Sequence, residues 1–122
     1  MSHALIDKKS EKTSFGFLTM KANVDTTLTL VEMEAGQVGV LYEAVFSGIK
    51  DGRVNGGPLV ISKNTTKQVN DSPEVNVIVS NFDKQADAVA MHITITVDVP
   101  MLGKQTIYNQ TLAGKCGTSV SC

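Results

Sequence analysis

The sequence predicts an all-β fold: an antiparallel β-sandwich of about seven strands, immunoglobulin-like in the loose sense of two packed sheets. Three observations carry that expectation. Apolar residues recur at a spacing of two through most of the chain, which is the period of a half-buried strand. Val and Thr crowd the periodic segments, and β-branched side chains suit a pleated surface. Turn-forming dipeptides and prolines punctuate these segments, while helix start and stop signals are scarce. The chain has no Trp and no Cys…Trp…Cys pattern, so the description refers to architecture and not to a family.

At 122 residues the chain fits one domain. A chain of this size buries roughly two-thirds of its unfolded surface, enough for a core without a disulfide or metal. Residues 1–13 are polar and charged without sustained periodicity and read as a flexible N-terminal arm. Residues 14–114 then form the single sandwich domain, and 115–122 a flexible C-terminal tail.

The first strand is expected over residues 15–22, with Phe15 and Phe17 on one face. Its phase slips at Leu18 and Met20, which a bulge would explain. Residues 26–34 place Leu28 and Leu30 together, then break phase at Val31 and Met33. Residues 37–49 put Val38, Val40, Tyr42, Ala44 and Phe46 on one side. Leu41 and Val45 fall on the other, as in a strand covered on both faces. Asp51-Gly52 and Asn55-Gly56 are the strongest short-range turn signals in the chain. A short strand over 58–62 follows, then the polar connection 63–73, with room for a weak edge strand. Residues 74–80 carry Val75, Val77 and Val79 on one face.

Residues 81–91 hold the one segment with a helical alternative. Strict alternation of Val89, Met91, Ile93, Ile95, Val97 and Val99 favours a hairpin there instead. If the two valine and isoleucine rows share a face, Val79 pairs with Met91 and Val77 with Ile93. His92 then faces Ile78, and Thr94 faces Asn76. A one-residue slip would throw the apolar row into water, so the register is expected to be firm. The last strand is expected over 105–112, after a turn at Pro100 and Gly103.

The formal net charge is −1, which gives no electrostatic case for nucleic acid. Lys8, Lys9 and Lys12 form the one basic cluster, diluted by Asp7 and Glu11. No apolar run approaches the roughly 20 residues of a membrane-spanning helix. The first twelve residues lack the apolar region of a secretory signal, so cytoplasmic residence is the default, with export lacking a signal left open. The sequons at Asn64, Asn70 and Asn109 then read as ordinary strand and loop polarity.

Catalytic and cofactor constellations are missing from the pattern. His92 shares a face with Thr94 and Asp98, but Asp98 lies about 20 Å along the strand, too far to orient the ring. His3 sits in the arm, and no third ligand completes a metal site. Cys116 and Cys122 are separated by five residues, which suits neither a zinc knuckle nor a redox CxxC. In an oxidising environment they would close a small terminal disulfide loop. The glycine-rich stretch 47–58 matches no phosphate-binding motif and offers too few oxygens for calcium. Glu32 and Glu34 read as solvated charge, and no Ser is framed as a nucleophile.

The functional expectation is therefore a non-enzymatic binding module without cofactor or metal. Its contact loop is Asp51, Gly52, Arg53, Asn55, Gly56 and Gly57, with the polar connection 63–72 beside it, because loops on a rigid scaffold carry binding groups. The partner is an unidentified protein, or a second copy of the chain. The alternative is a structural or assembly subunit, using the arm or an edge strand such as 58–62 to pair with its neighbour.

Overall fold

The computed structural model describes residues 4–17, 20–48, 51–99 and 102–115. They form eight strands: β1 (Ala4–Phe17), β2 (Met20–Glu32), β3 (Val38–Gly48), β4 (Gly52–Ile61), β5 (Thr65–Asn70), β6 (Val75–Lys84), β7 (Ala88–Val99) and β8 (Gly103–Lys115). The protein is all-β, and no α-helix occurs among the described residues. A single 3₁₀ turn at Glu34–Gly36 joins β2 to β3. The strands make two antiparallel four-stranded sheets, in the order β1-β2-β3-β4 and β5-β6-β7-β8. Each sheet is thus a contiguous half of the chain.

Alternation builds the core. Val24, Leu28, Leu30, Val38 and Val40 from the first sheet share one buried cluster with Val75, Val77, Val79, Met91, Ile93 and Ile95 from the second. Burying each large side chain contributes about 1.5–3 kcal/mol, so this shared cluster is the main stabilising feature of the fold. Tyr108 and Ile107 are both fully buried although adjacent in sequence. A bulge explains this: Ile107 is the extra residue where the β7–β8 pairing passes from Ile95↔Tyr108 to Thr96↔Thr106.

The structure differs from the sequence reading of the strands in four places, and Glu32, expected as solvated charge, is buried. Residues 4–13, expected as a flexible arm, are strand. They pair along β2 from Ala4↔Glu32 to Thr13↔Val24, with an extra residue, Ile6, between Leu5 and Asp7. Second, the phase slip near Leu18 is not a bulge within one strand. β1 ends at Phe17 and pairs it with Met20, the first residue of β2. Third, Asn55-Gly56 is not a turn but lies inside β4; the polar connection does contain the edge strand allowed for there, β5. The count rises from about seven to eight because β5 is a strand in its own right.

The fourth difference is the β6–β7 register. The apolar rows do share a face, but Val79 pairs with Ile93, Val77 with Ile95, Ile78 with Thr94 and Ser80 with His92. The strands run further toward the tip than expected, to Lys84↔Val89, around a connection at residues 85–87. That tip pairing has the wrong parity for the apolar rows. A bulge at Asn81 and Phe82, opposite Met91 alone, restores it. Asn81 takes φ 53°, the left-handed conformation that Asn tolerates better than most residues.

Candidate functional site

Two sheets have four edges, and their treatment singles out one of them. β1 and β8, the outer strands on one side, bond to each other through side chains. Asp7 Oδ2 accepts from the Ala113 N–H at 2.9 Å, and Glu11 Oε1 from the Asn109 N–H at 3.0 Å. Lys9 Nζ donates to the Thr111 carbonyl at 2.7 Å, and Thr13 Oγ1 to that of Ile107 at 3.2 Å. In return Tyr108 OH donates to the Lys9 carbonyl at 3.1 Å, and Gln110 Nε2 to that of Ser10 at 3.0 Å. Burial first, and then the carboxylates of Glu11 and Asp7, push the Tyr108 phenol up to about 12.

The other two edges are blunted unequally. β5 has only six residues, carries Lys67 and is bulged at Val69. β4 has ten residues and is interrupted at Gly57 and Pro58, the extra-residue site between Tyr42↔Gly56 and Val40↔Leu59. Gly57 is required there: its φ is +103°, and a Cβ would lie 2.6 Å from the Val40 carbonyl oxygen. Short strands, lysines, prolines and bulges are the means by which sheet edges resist pairing. Residues 52–55 of β4 have no lysine, proline or bulge, and their one charge, Arg53, is turned to Glu43 of β3.

The contact residues expected from the sequence are collected at this edge, on a strand rather than a loop. Asp51, just before β4, is exposed, as are Gly52, Arg53, Asn55 and Gly57. Gly56 is half-buried under the Tyr42 hydroxyl. Arg53 forms an exposed ion pair with Glu43 of β3 at 3.6 Å, and such surface pairs contribute little stability. A half-open recess of about 220 Å³ adjoins the edge, lined by Phe46, Asp51, Gly52, Arg53, Val54, Asn70, Ser72 and Pro73. The polar connection thus supplies its far wall. There Asn70 Nδ2 donates to the Pro73 carbonyl at 2.7 Å and fixes the turn. The recess joins an apolar floor to a rim bearing one carboxylate and one guanidinium.

His92 has partners that the sequence did not disclose. Its Nδ1 lies 2.9 Å from Thr111 Oγ1, and its Nε2 bonds the side-chain oxygen of Asn109. An amide oxygen only accepts, so Nε2 carries a proton, and in the neutral ring Nδ1 accepts from the threonine hydroxyl. Both partners come from β8, where His92 pairs with Thr111 and Thr94 with Asn109. A reading of the Pro100–Gly103 turn without the Ile107 bulge would have set Gln110 opposite His92. Hydroxyl, imidazole and amide follow one another here, but they join cross-strand neighbours on the outer face of a sheet, where polar pairing is ordinary. A neutral amide also cannot stabilise an imidazolium as a carboxylate does.

Among the described residues, no three His, Cys, Asp or Glu side chains gather as metal ligands. No helix there is long and apolar enough to cross a membrane. His3, Cys116 and Cys122 lie outside the described residues. Comparison of the chain with protein-family models, curated proteins and solved structures found no match.

Proposed function

We propose that the chain is a non-enzymatic β-sandwich module, immunoglobulin-like in the loose sense, that binds a protein partner at the 52–55 end of β4. The observation that carries this reading is the contrast between the four sheet edges. Two are bonded to each other, one is short and bulged, and the fourth leaves residues 52–55 uninterrupted beside an apolar recess. An extended partner segment adding to this edge would gain main-chain hydrogen bonds, and an apolar side chain of that segment fits against Phe46, Val54 and Pro73.

The test places a photo-crosslinking residue at position 53, or at position 29 of β2 as a control, in the protein expressed in its native host. A discrete adduct from position 53 alone, weakened by Asp51→Ala and Asn55→Ala, is the expected result. Equal adducts from both positions would sink the assignment. Gly56 and Gly57 are left intact because their substitution disturbs the strand itself. A second reading, an assembly subunit, draws on Val60 of the same strand and Leu5 of β1, which are 42% and 64% exposed. An adduct of two chain masses selects that reading.

A further inference from the structure

β1 covers the edge of β8 without forming a backbone ladder with it. Asp7, Lys9, Glu11 and Thr13 reach Ala113, Thr111, Asn109 and Ile107 in turn. One series advances by two residues as the other falls by two, so the seam has an antiparallel register made by side chains. Its chemistry alternates in step. Carboxylates take the outward N–H groups of β8, while an ammonium and a hydroxyl take its carbonyls. Asp7 is doubly engaged, since its Oδ1 also accepts from the Lys8 N–H at 2.8 Å.

Beneath this cover β8 has little protection of its own. Between Lys104 and Lys115 it has no charged residue and no proline, and from Tyr108 to Lys115 its ladder with β7 is unbroken. A long, uncharged edge of that kind pairs readily with another strand. The charges set against it, Asp7, Lys9 and Glu11, all come from β1. Steric fit closes the far end. Gly114 lies under Ile6, where a Cβ would sit 2.7 Å from Ile6 Cγ2 and 2.8 Å from the Ile6 carbonyl oxygen.

We infer that the odd-numbered side chains of β1 form a removable cover, and that β8 beneath them is a latent pairing surface for the β8 of a second copy of this chain. A second copy fits because an antiparallel pair centred on Gln110 sets the uncharged stretch of one strand against that of the other, in a self-complementary two-fold contact. Nothing in the neutral strand repels its own copy. The chemistry that does so is supplied in cis, by β1.

The test measures mass by light scattering across protein concentration, with circular dichroism to report the β fold. Two variants lift the cover by different means: Asp7→Ala/Lys9→Ala/Glu11→Ala removes its charges, and Gly114→Val pushes β1 away sterically. Each is expected to reach twice the mass of its starting species as concentration rises, while wild type does not change. Adding Thr111→Pro should return both to the wild-type mass. The Asn109 and Ala113 N–H groups face β1, so by alternation that of Thr111 does too, and a proline there spares the ladder to β7. Folded variants that keep the wild-type mass would overturn the inference, as would a dimer indifferent to Thr111→Pro. If the triple variant fails to fold, Gly114→Val decides. Association through β4 would already be present in wild type and insensitive to Thr111→Pro, so the two surfaces are told apart.

Discussion

Thr26 lies on the inner face of β2 between Val24 and Leu28, fully buried, and its hydroxyl oxygen has no hydrogen-bond partner. Its ladder neighbours are Glu11 on β1 and Ala44 on β3; the Glu11 carboxylate is engaged by the Asn109 N–H, and Ala44 has no polar side-chain atom. Thr26→Val replaces that hydroxyl with a methyl group of the same shape. A buried, unpaired hydroxyl costs about 1–3 kcal/mol, and the methyl adds apolar contact, so the variant should be more stable by about 1–2 kcal/mol. For a domain of this size that raises the melting temperature by about 3–8 °C. It also moves the urea midpoint upward without changing the slope. The control is Thr27→Val, one residue along on the outer face, where Thr27 Oγ1 is 2.8 Å from Ser10 Oγ. That substitution should be neutral or destabilise by up to about 1 kcal/mol. A Thr26→Val protein that melts lower than wild type would refute the reasoning, because the hydroxyl would then have a partner to lose.

Three further outcomes follow from particular contacts. Tyr108 is held neutral in the folded protein to about 12, against about 10 in the unfolded chain. Its contribution of about 2 kcal/mol is therefore complete below pH 10 and lost as the pH rises through 12. Tyr108→Phe should abolish that alkaline loss in melting experiments, together with the late component of a phenolate absorbance titration. Gly57→Ala should destabilise by about 2–4 kcal/mol through its left-handed backbone and its clash with Val40. Gly52→Ala, with open space at its Cβ, should be nearly neutral in the same denaturation assay. His92→Ala should cost no more than about 1 kcal/mol and leave crosslinking from position 53 unchanged. Loss of the adduct would connect the outer face of the second sheet to the binding edge.

The inner rows were the legible part of the fold. Val38, Val40 and Ala44, or Met91, Ile93 and Ile95, alternate in the sequence and are buried in the structure because one face of each strand meets apolar neighbours. β1 was illegible because both of its rows are polar over residues 7–14. Lys8, Ser10 and Lys12 lie in register with the outward Thr29, Thr27 and Asp25 of β2, while Asp7, Lys9, Glu11 and Thr13 spend their polarity on β8. Periodicity detects burial against apolar groups, and a strand buried against a backbone edge has none to show. Bulges were the second obstacle. Those at Asn81 and Phe82, at Gly57 and Pro58, and at Ile107 each shift pairing by one residue, and their effects appear only across strands. Of the two pairs that located the candidate edge, Asn55-Gly56 is strand and not turn, while Asp51-Gly52 stands where the β3–β4 connection enters β4. Gly56, which suggested a turn, instead serves a strand whose bulge needs Gly57.

The seam between β1 and β8 has a mechanical consequence. Because Asp7 meets Ala113 and Thr13 meets Ile107, residues 4 and 115 lie at the same end of the seam. A pull applied between them does not shear its bonds together. It meets the Asp7 bond first, then those of Lys9, Glu11 and Thr13, and opens them one at a time as a zipper opens. The pulled residues are themselves ladder residues, Ala4 with Glu32 and Lys115 with Ala88, so the ends of both backbone ladders share the load. Under tension the seam therefore opens progressively from this end rather than breaking all at once.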